Sequence, residues 1–170
     1  LALWAGLIAE NPSDHESLVG RVQTLLACGK AADAQPDTQA LLALAPQHNS
    51  ADLLQLLDRW VERGWLRALD RAFVSFLEER APGSDPLLLL AAALASHQLG
   101  HGHVCLDLQQ TLAEPDFALS LPPEGDALIG PLLLPSQLLA NLDLNAWLQR
   151  IVASPSASLR SAMLSAIWRR

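Results

Sequence analysis

Asp85-Pro86-Leu87-Leu88-Leu89-Leu90-Ala91-Ala92-Ala93-Leu94-Ala95-Ser96-His97-Gln98-Leu99-Gly100 is the stretch on which the fold turns. Asp85 is a good helix cap, and Pro86 falls at the first helical position, where its missing N–H costs nothing. Gly100-His101-Gly102 supplies the stop. The pattern predicts a helix over about 86–99. Leu87 to Ala95 is the longest uninterrupted apolar run in the chain. A membrane span needs about 20 such residues, so this one does not cross a bilayer. A helix without a polar face belongs at the centre of a helical core.

Working outward, Asn49 or Ser50 caps a helix of about 51–63 carrying Leu53, Leu56, Leu57, Trp60 and Val61, and Gly64 ends it. A third amphipathic helix runs over about 66–80, with Leu66, Leu69, Phe73, Phe76 and Leu77 at helical spacing. Ala81-Pro82-Gly83-Ser84 is a loop. After Gly102, a short helix or extended piece covers about 104–113. Pro115, Pro122, Pro123, Pro131 and Pro135 make residues 114–136 a long loop or a chain of turns, with Leu132-Leu133-Leu134 strand-like. Ser136 caps a helix of about 137–152.

Toward the N-terminus, residues 1–10 are helix-like. Ser13 or Asp14 caps a helix of about 15–28 that stops at Gly29, and a further helix covers about 37–45. Pro12 and Pro46 are separated by the tetratricopeptide period, and Leu7-Ile8-Ala9 returns as Leu41-Leu42-Ala43 at the same offset. Pro36 interrupts this repeat. About seven helices emerge. The fold class is all-α, with a helical domain of about five helices and a Pro-rich loop, preceded by a helical hairpin. The expected division is a hairpin over 1–49, a main domain over 50–153, and a tail over 154–170.

Composition agrees. The 170 residues include 38 Leu and 27 Ala, whereas Val and Ile together number ten and Tyr is absent. Helix formers abound and the usual occupants of strands are scarce, which excludes an all-β fold. At 51% hydrophobic and 17% charged, the chain is too apolar for intrinsic disorder. Leu1 to Ile8 lacks a basic flank and a cleavage site and is not read as a signal peptide. The missing initiator Met suggests a fragment or a processed chain. Cys28 and Cys105 are too few for a disulfide framework and fit a reducing cytoplasm.

The net charge is −7. Between Ala81 and Gln149 there is no Lys or Arg, which makes a poor surface for phosphate backbones. Arg59, Arg63, Arg67, Arg71 and Arg80 alternate with Asp58, Glu62, Asp70, Glu78 and Glu79. That pattern reads as a solvated helix face with pairs four residues apart, such as Asp58–Glu62 against Arg63–Arg67. No phosphate-cradling loop is present, since Gly29-Lys30 is followed by Ala31 and Thr24 stands where the first Gly should. His97, His101, His103 and Cys105 are four candidate metal ligands within nine residues. Zinc sites usually draw on two separated pairs, and His97 and His101 share a face only if the helix continues through Gly100. A turn rich in polar residues is the stronger reading.

From Leu53-Leu54 the chain runs through Arg59-Trp60-Val61-Glu62-Arg63-Gly64-Trp65-Leu66 to Leu69-Asp70 and Phe73. Later come Leu90-Ala91-Ala92-Ala93-Leu94-Ala95-Ser96-His97 and Gly100-His101-Gly102-His103-Val104-Cys105-Leu106-Asp107-Leu108, then Ala118-Leu119-Ser120-Leu121-Pro122-Pro123-Glu124-Gly125. Over about 51–150 these residues resemble the N-terminal domain of RecD, the alpha subunit of exodeoxyribonuclease V. The resemblance implies a piece of the RecBCD helicase–nuclease of double-strand break repair, in the cytoplasm. It implies RecC-like and RecB-like partner subunits, with DNA met only through the assembled complex. ATP and Mg would belong to helicase domains that lie outside this sequence. The His/Cys cluster would be a fold signature, and no catalytic or cofactor-binding residue carries over. Residues 1–50 do not share the resemblance.

The leading reading is a non-catalytic interaction domain. Trp60, Arg63, Trp65, Leu69 and Phe73 are the candidates for its partner surface. The alternatives are a tetratricopeptide-like scaffold and a metal module at His97–Cys105. Without a phosphate cradle, the chain alone is expected to hydrolyse no ATP. A coupled phosphate-release assay with and without DNA checks this, and DNA-stimulated turnover would contradict it.

Overall fold

The computed structural model describes residues 15–30, 33, 49–126 and 133–168. The chain divides into two units, residues 1–45 and 46–170. The helices expected over 1–10 and 37–45, and with them the repeat pattern, lie outside the described residues. In the first unit, α1 spans His15–Ala27. It closes as its Gly demands: Gly29 takes φ +70°, and the Lys30 N–H donates back to the Leu25 carbonyl at 2.9 Å.

The second unit contains α2 (Ser50–Glu62), α3 (Ala68–Arg80), α4 (Pro86–Gly100), β1 (Leu106–Asp107) and α5 (Leu108–Ala113). It continues with α6 (Pro115–Leu119), α7 (Pro135–Leu139), α8 (Leu144–Val152), α9 (Ala157–Ala166) and β2 (Ile167–Trp168). The described residues are mostly helical. Their one sheet is a parallel two-residue pair, Leu106 opposite Ile167 and Asp107 opposite Trp168.

Helix α4 is the axis of this unit. Every residue from Pro86 to Leu94 is buried. Helices α2, α3, α8 and α9 and strand β1 pack around it. Each leucine so removed from water contributes roughly 1.5–3 kcal/mol. Asp85 caps α4 by accepting from the Leu87 N–H at 2.9 Å, and Asn49 caps α2 through the Ala51 N–H at 2.9 Å. Two tryptophans pin the shell. The Trp147 indole N–H donates to the Leu87 carbonyl at 2.9 Å, and that of Trp60 to the Leu133 carbonyl at 2.9 Å.

Several expectations are corrected. The helix expected over 137–152 is two helices. Asp143 accepts from the Ala146 N–H at 2.9 Å and starts α8 afresh. Ser136 does not cap α7, because its N–H and hydroxyl both donate to Asp116, at 3.0 and 2.8 Å. Instead the Leu134 N–H donates to Gln137 Oε1, with Pro135 opening the helix. The stretch 114–136 contains α6, and Leu133 and Leu134 form no strand; Leu132 lies outside the described residues. Residues 157–166, read as part of a tail, are α9, whose Leu159 and Met163 are buried.

The face that α3 turns to the core holds a carboxylate. Its buried residues are Asp70 and Val74, while Leu69, Phe73 and Phe76 are exposed. The Asp70 carboxylate is wholly buried and accepts four hydrogen bonds. They come from the Arg67 N–H at 3.0 Å, Arg67 Nε at 3.1 Å, Arg67 Nη2 at 2.6 Å and the Ser96 hydroxyl at 2.7 Å. Arg67 Nη2 also donates to the Ser96 carbonyl at 2.7 Å. Gly100 makes room for this, since a Cβ there would lie 2.4 Å from Arg67 Cζ. Burial pushes the Asp70 carboxyl up. The Arg67 guanidinium, Ser96 and the Arg67 N–H outweigh it and hold the group below the ordinary carboxylate range.

Beside the local Arg67–Asp70 pair, two other arginines reach across to different elements. Arg71 Nε reaches Asp58 on α2 at 2.8 Å, and Arg63 Nε reaches Asp126 at 2.9 Å. Alternating charges thus join elements and do not merely decorate a face. Replacing Asp70→Ala is expected to lower unfolding stability by about 2–4 kcal/mol. Gly100→Ala is expected to destabilise as well, because it displaces Arg67 from Asp70. Urea unfolding checks both; an unchanged midpoint for Asp70→Ala would contradict the account.

Candidate functional site

The residues singled out from the sequence separate into three groups. Trp60 and Trp65 are core. Both are buried, with ring centroids 6.0 Å apart at 38°. They are therefore removed from the partner surface, since a side chain that fills the core cannot also meet a partner. Arg63 is half-buried and paired to Asp126, which also accepts from the Trp65 indole N–H. It locks the loop after α6 onto the end of α2.

Leu69 and Phe73 stand outside, 65% and 38% exposed, and Phe76 joins them at 49%. Ala68 and Ala72 are exposed beside them. For two turns the outer face of α3 is thus entirely apolar, and Glu79 and Arg80 close it in the last turn, with the Arg80 guanidinium 5.2 Å from the Phe76 ring centre. Residues three and four apart stack on one helix face. Amphipathic helices dock through apolar stripes of this kind. Phe76 belongs to this one although it was not among the candidates for the partner surface. The helical spacing was visible, but the buried carboxylate that turns this stripe outward was not.

The His/Cys cluster is partly brought together. Helix α4 continues through Gly100, so His97 and His101 share a face, with ring centroids 4.5 Å apart. The sequence reading stopped the helix at Gly100 and kept them apart. The turn comes instead at Gly102, with φ +87°. His97 is buried, and its Nε2 lies 2.9 Å from the Leu119 carbonyl, which ties α4 to α6. Gln98 Nε2 adds a parallel tie to the Ala118 carbonyl at 3.0 Å. His103 is exposed, and Cys105 is half-buried. Both line a cleft of about 500 Å³ with Asp107, Asp116, Phe117 and Glu124. Asp107 caps α5 and Asp116 holds Ser136, so two of these carboxylates have structural work. Among the described residues no group of three His, Cys, Asp or Glu side chains is arranged to hold a metal ion.

Burial, chiefly, holds the His97 imidazole below its ordinary 6.5. The charges of His101 and Arg67 act the same way, against the Leu119 carbonyl and Asp70, which pull it up. The folded state therefore keeps His97 neutral.

These features define a mostly helical domain, built around one buried helix and carrying an apolar outer face. Among the described residues no helix is long and apolar enough to cross a membrane. Residues 62–163, more than half of the chain, match the family described as RecBCD enzyme subunit RecD, N-terminal domain, and the chain belongs to that family. The match begins later than the resemblance read from the sequence and reaches further, into α9. Searches of curated proteins and of solved structures returned no match.

The depressed His97 value fixes the sign of a pH dependence. Above 6.5 the imidazole is neutral in both the folded and unfolded states, and its contribution is complete. Between 6.5 and the lower folded value the unfolded chain binds the proton and the folded one does not. Stability is thus expected to fall as pH drops from 7 toward 5, and His97→Gln is expected to flatten that slope. Urea unfolding at pH 5, 6 and 7 checks this; equal slopes in the two proteins would contradict it.

Proposed function

We propose that this chain is a non-catalytic docking domain of a RecBCD-type DNA helicase–nuclease acting in double-strand break repair. It seats on a RecC-like subunit in the cytoplasm. DNA contact, ATP and Mg belong to other parts of the complex, including a RecB-like subunit. The observation that carries the reading is the outer face of α3, where Leu69, Phe73 and Phe76 are exposed within one stripe.

Family membership supports an association of RecBCD type. The side chains support docking over chemistry. The buried polar groups Asp70, His97 and Gln98 all spend their hydrogen bonds holding α4 to its neighbours. The stretch from 81 to 149 has no cation with which to bind a phosphate backbone. Two large apolar anchors at the centre of a patch are the usual carriers of binding energy.

Co-expression with a RecC-like subunit tests the proposal. The wild-type chain is expected to co-purify with it. The double variant Leu69→Asp/Phe73→Asp is expected to bind about 100-fold or more weaker. It is expected to stay folded, with a cooperative melt, since neither side chain is in the core. Co-purification unaffected by the double variant would overturn the placement on α3. A wild-type chain that does not co-purify would overturn the docking role itself.

A further inference from the structure

The cleft of about 500 Å³ beside the end of α4 carries two features that the packing of the domain does not use. The first is an aromatic ring. Phe117 lines the cleft and is 76% exposed, the most exposed of the three phenylalanines. Its surroundings are fixed. His97 and Gln98 hold the Leu119 and Ala118 carbonyls, Leu119 and Leu121 fill the core, and Asp116 holds Ser136. With the residues on either side tied inward, the short helix α6 presents Phe117 to solvent. Val104, between the lining residues His103 and Cys105, adds an apolar rim and is fully exposed.

The second feature, independent of the first, is charge without a counterpart. Asp107, Asp116 and Glu124 line the same cleft. Asp107 and Asp116 accept from neutral groups, the Gln110 N–H and the Ser136 N–H and hydroxyl, so their charge is not cancelled. Among the described residues no arginine or lysine pairs with any of the three, and none lines the cleft. Elsewhere in the unit, Asp58, Asp70, Asp85 and Asp126 each have an arginine. The charge and the ring together select the ligand. An aromatic face beside carboxylates suits a guanidinium, which stacks on the ring and pairs with oxygen in its own plane. An ammonium is more strongly hydrated and lacks the planar fork. A purely apolar ligand would cover the carboxylates without meeting their charge.

We propose that this cleft receives an arginine side chain from a segment of a partner polypeptide. The guanidinium would stack on Phe117 and pair with the carboxylates of the lining, and an apolar neighbour of that arginine would cover Val104. The cleft shares no residue with the outer face of α3, and the inference does not rest on the docking role of that face.

The test uses the full chain and a dye-labelled peptide holding Arg-Leu pairs among Gly and Ser, with versions carrying Lys or the neutral isostere citrulline in place of Arg. Fluorescence anisotropy and backbone amide spectra are the readouts. The Arg peptide is expected to bind saturably and to shift the Phe117, Ser120 and Glu124 amides, the Lys peptide to bind more weakly, and the citrulline peptide not to bind. Phe117→Ala and Glu124→Gln, both at exposed positions, are each expected to bind the Arg peptide about five-fold weaker while melting cooperatively. Glu79→Gln on α3 removes the same charge away from the cleft and is expected to bind as wild type, as is Leu69→Asp/Phe73→Asp. No saturable binding of the Arg peptide, equal binding of the Lys peptide, full binding by Phe117→Ala, or a loss in Glu79→Gln equal to that in Glu124→Gln would each overturn the proposal.

Discussion

Helix α4 has no side it can show to water, and the architecture of the second unit answers that constraint. From Leu87 to Leu94 every side chain is buried, so the helix must be covered on its whole circumference. Four helices and a strand do this. Two of their contacts are polar and directional as well as apolar: Trp147 bonds to the Leu87 carbonyl near the start of α4, and Arg67 to the Ser96 carbonyl near its end. Apolar packing alone lets a neighbouring helix slide or roll. Hydrogen bonds to fixed backbone groups set where it stops.

The consequence for function runs through Asp70. A carboxylate in a helical core is tolerated only where its charge is met by hydrogen bonds and a partner cation. Arg67 and Ser96 provide them, and Gly100 leaves the space for Arg67 to lie across α4. With Asp70 and Val74 turned to the core, the stripe of Leu69, Phe73 and Phe76, which runs along the flank of the same helix, is left at the surface. The apolar outer face is therefore coupled to the buried ion pair. The domain holds α3 in a rotation that leaves three large side chains at the surface, and the docking proposed for this face would recover their burial.

Much of the fold was legible in the sequence. Asp85 with Pro86, Asn49 and Gly64 were readable as boundaries because caps and stops depend on local chemistry alone. The apolar run of α4 could be placed in the core because no orientation of it would be acceptable elsewhere. What escaped reading was set by contacts distant in sequence. Ser136 looked like a cap, but Asp116 claims it. Residues 154–170 looked like a tail because Leu159, Met163 and Ile167 are too sparse for a clear period; in the fold α9 packs on α8 and on α4, and Ile167 lies opposite Leu106. His97 and His101 looked separated because a glycine normally ends a helix, whereas Gly100 is retained inside α4 by Arg67.

By itself, then, the sequence determined the helical class, the central helix, most helix boundaries and the family resemblance, since these rest on local propensity, capping and a recognisable order of residues. Only the tertiary structure decided which side of α3 meets the core, which tryptophans are interior, and which arginines join distant elements. Periodicity marks a stripe of apolar side chains, but it does not say whether that stripe or a satisfied carboxylate is buried. That choice depends on Ser96 and Gly100, which come from another helix.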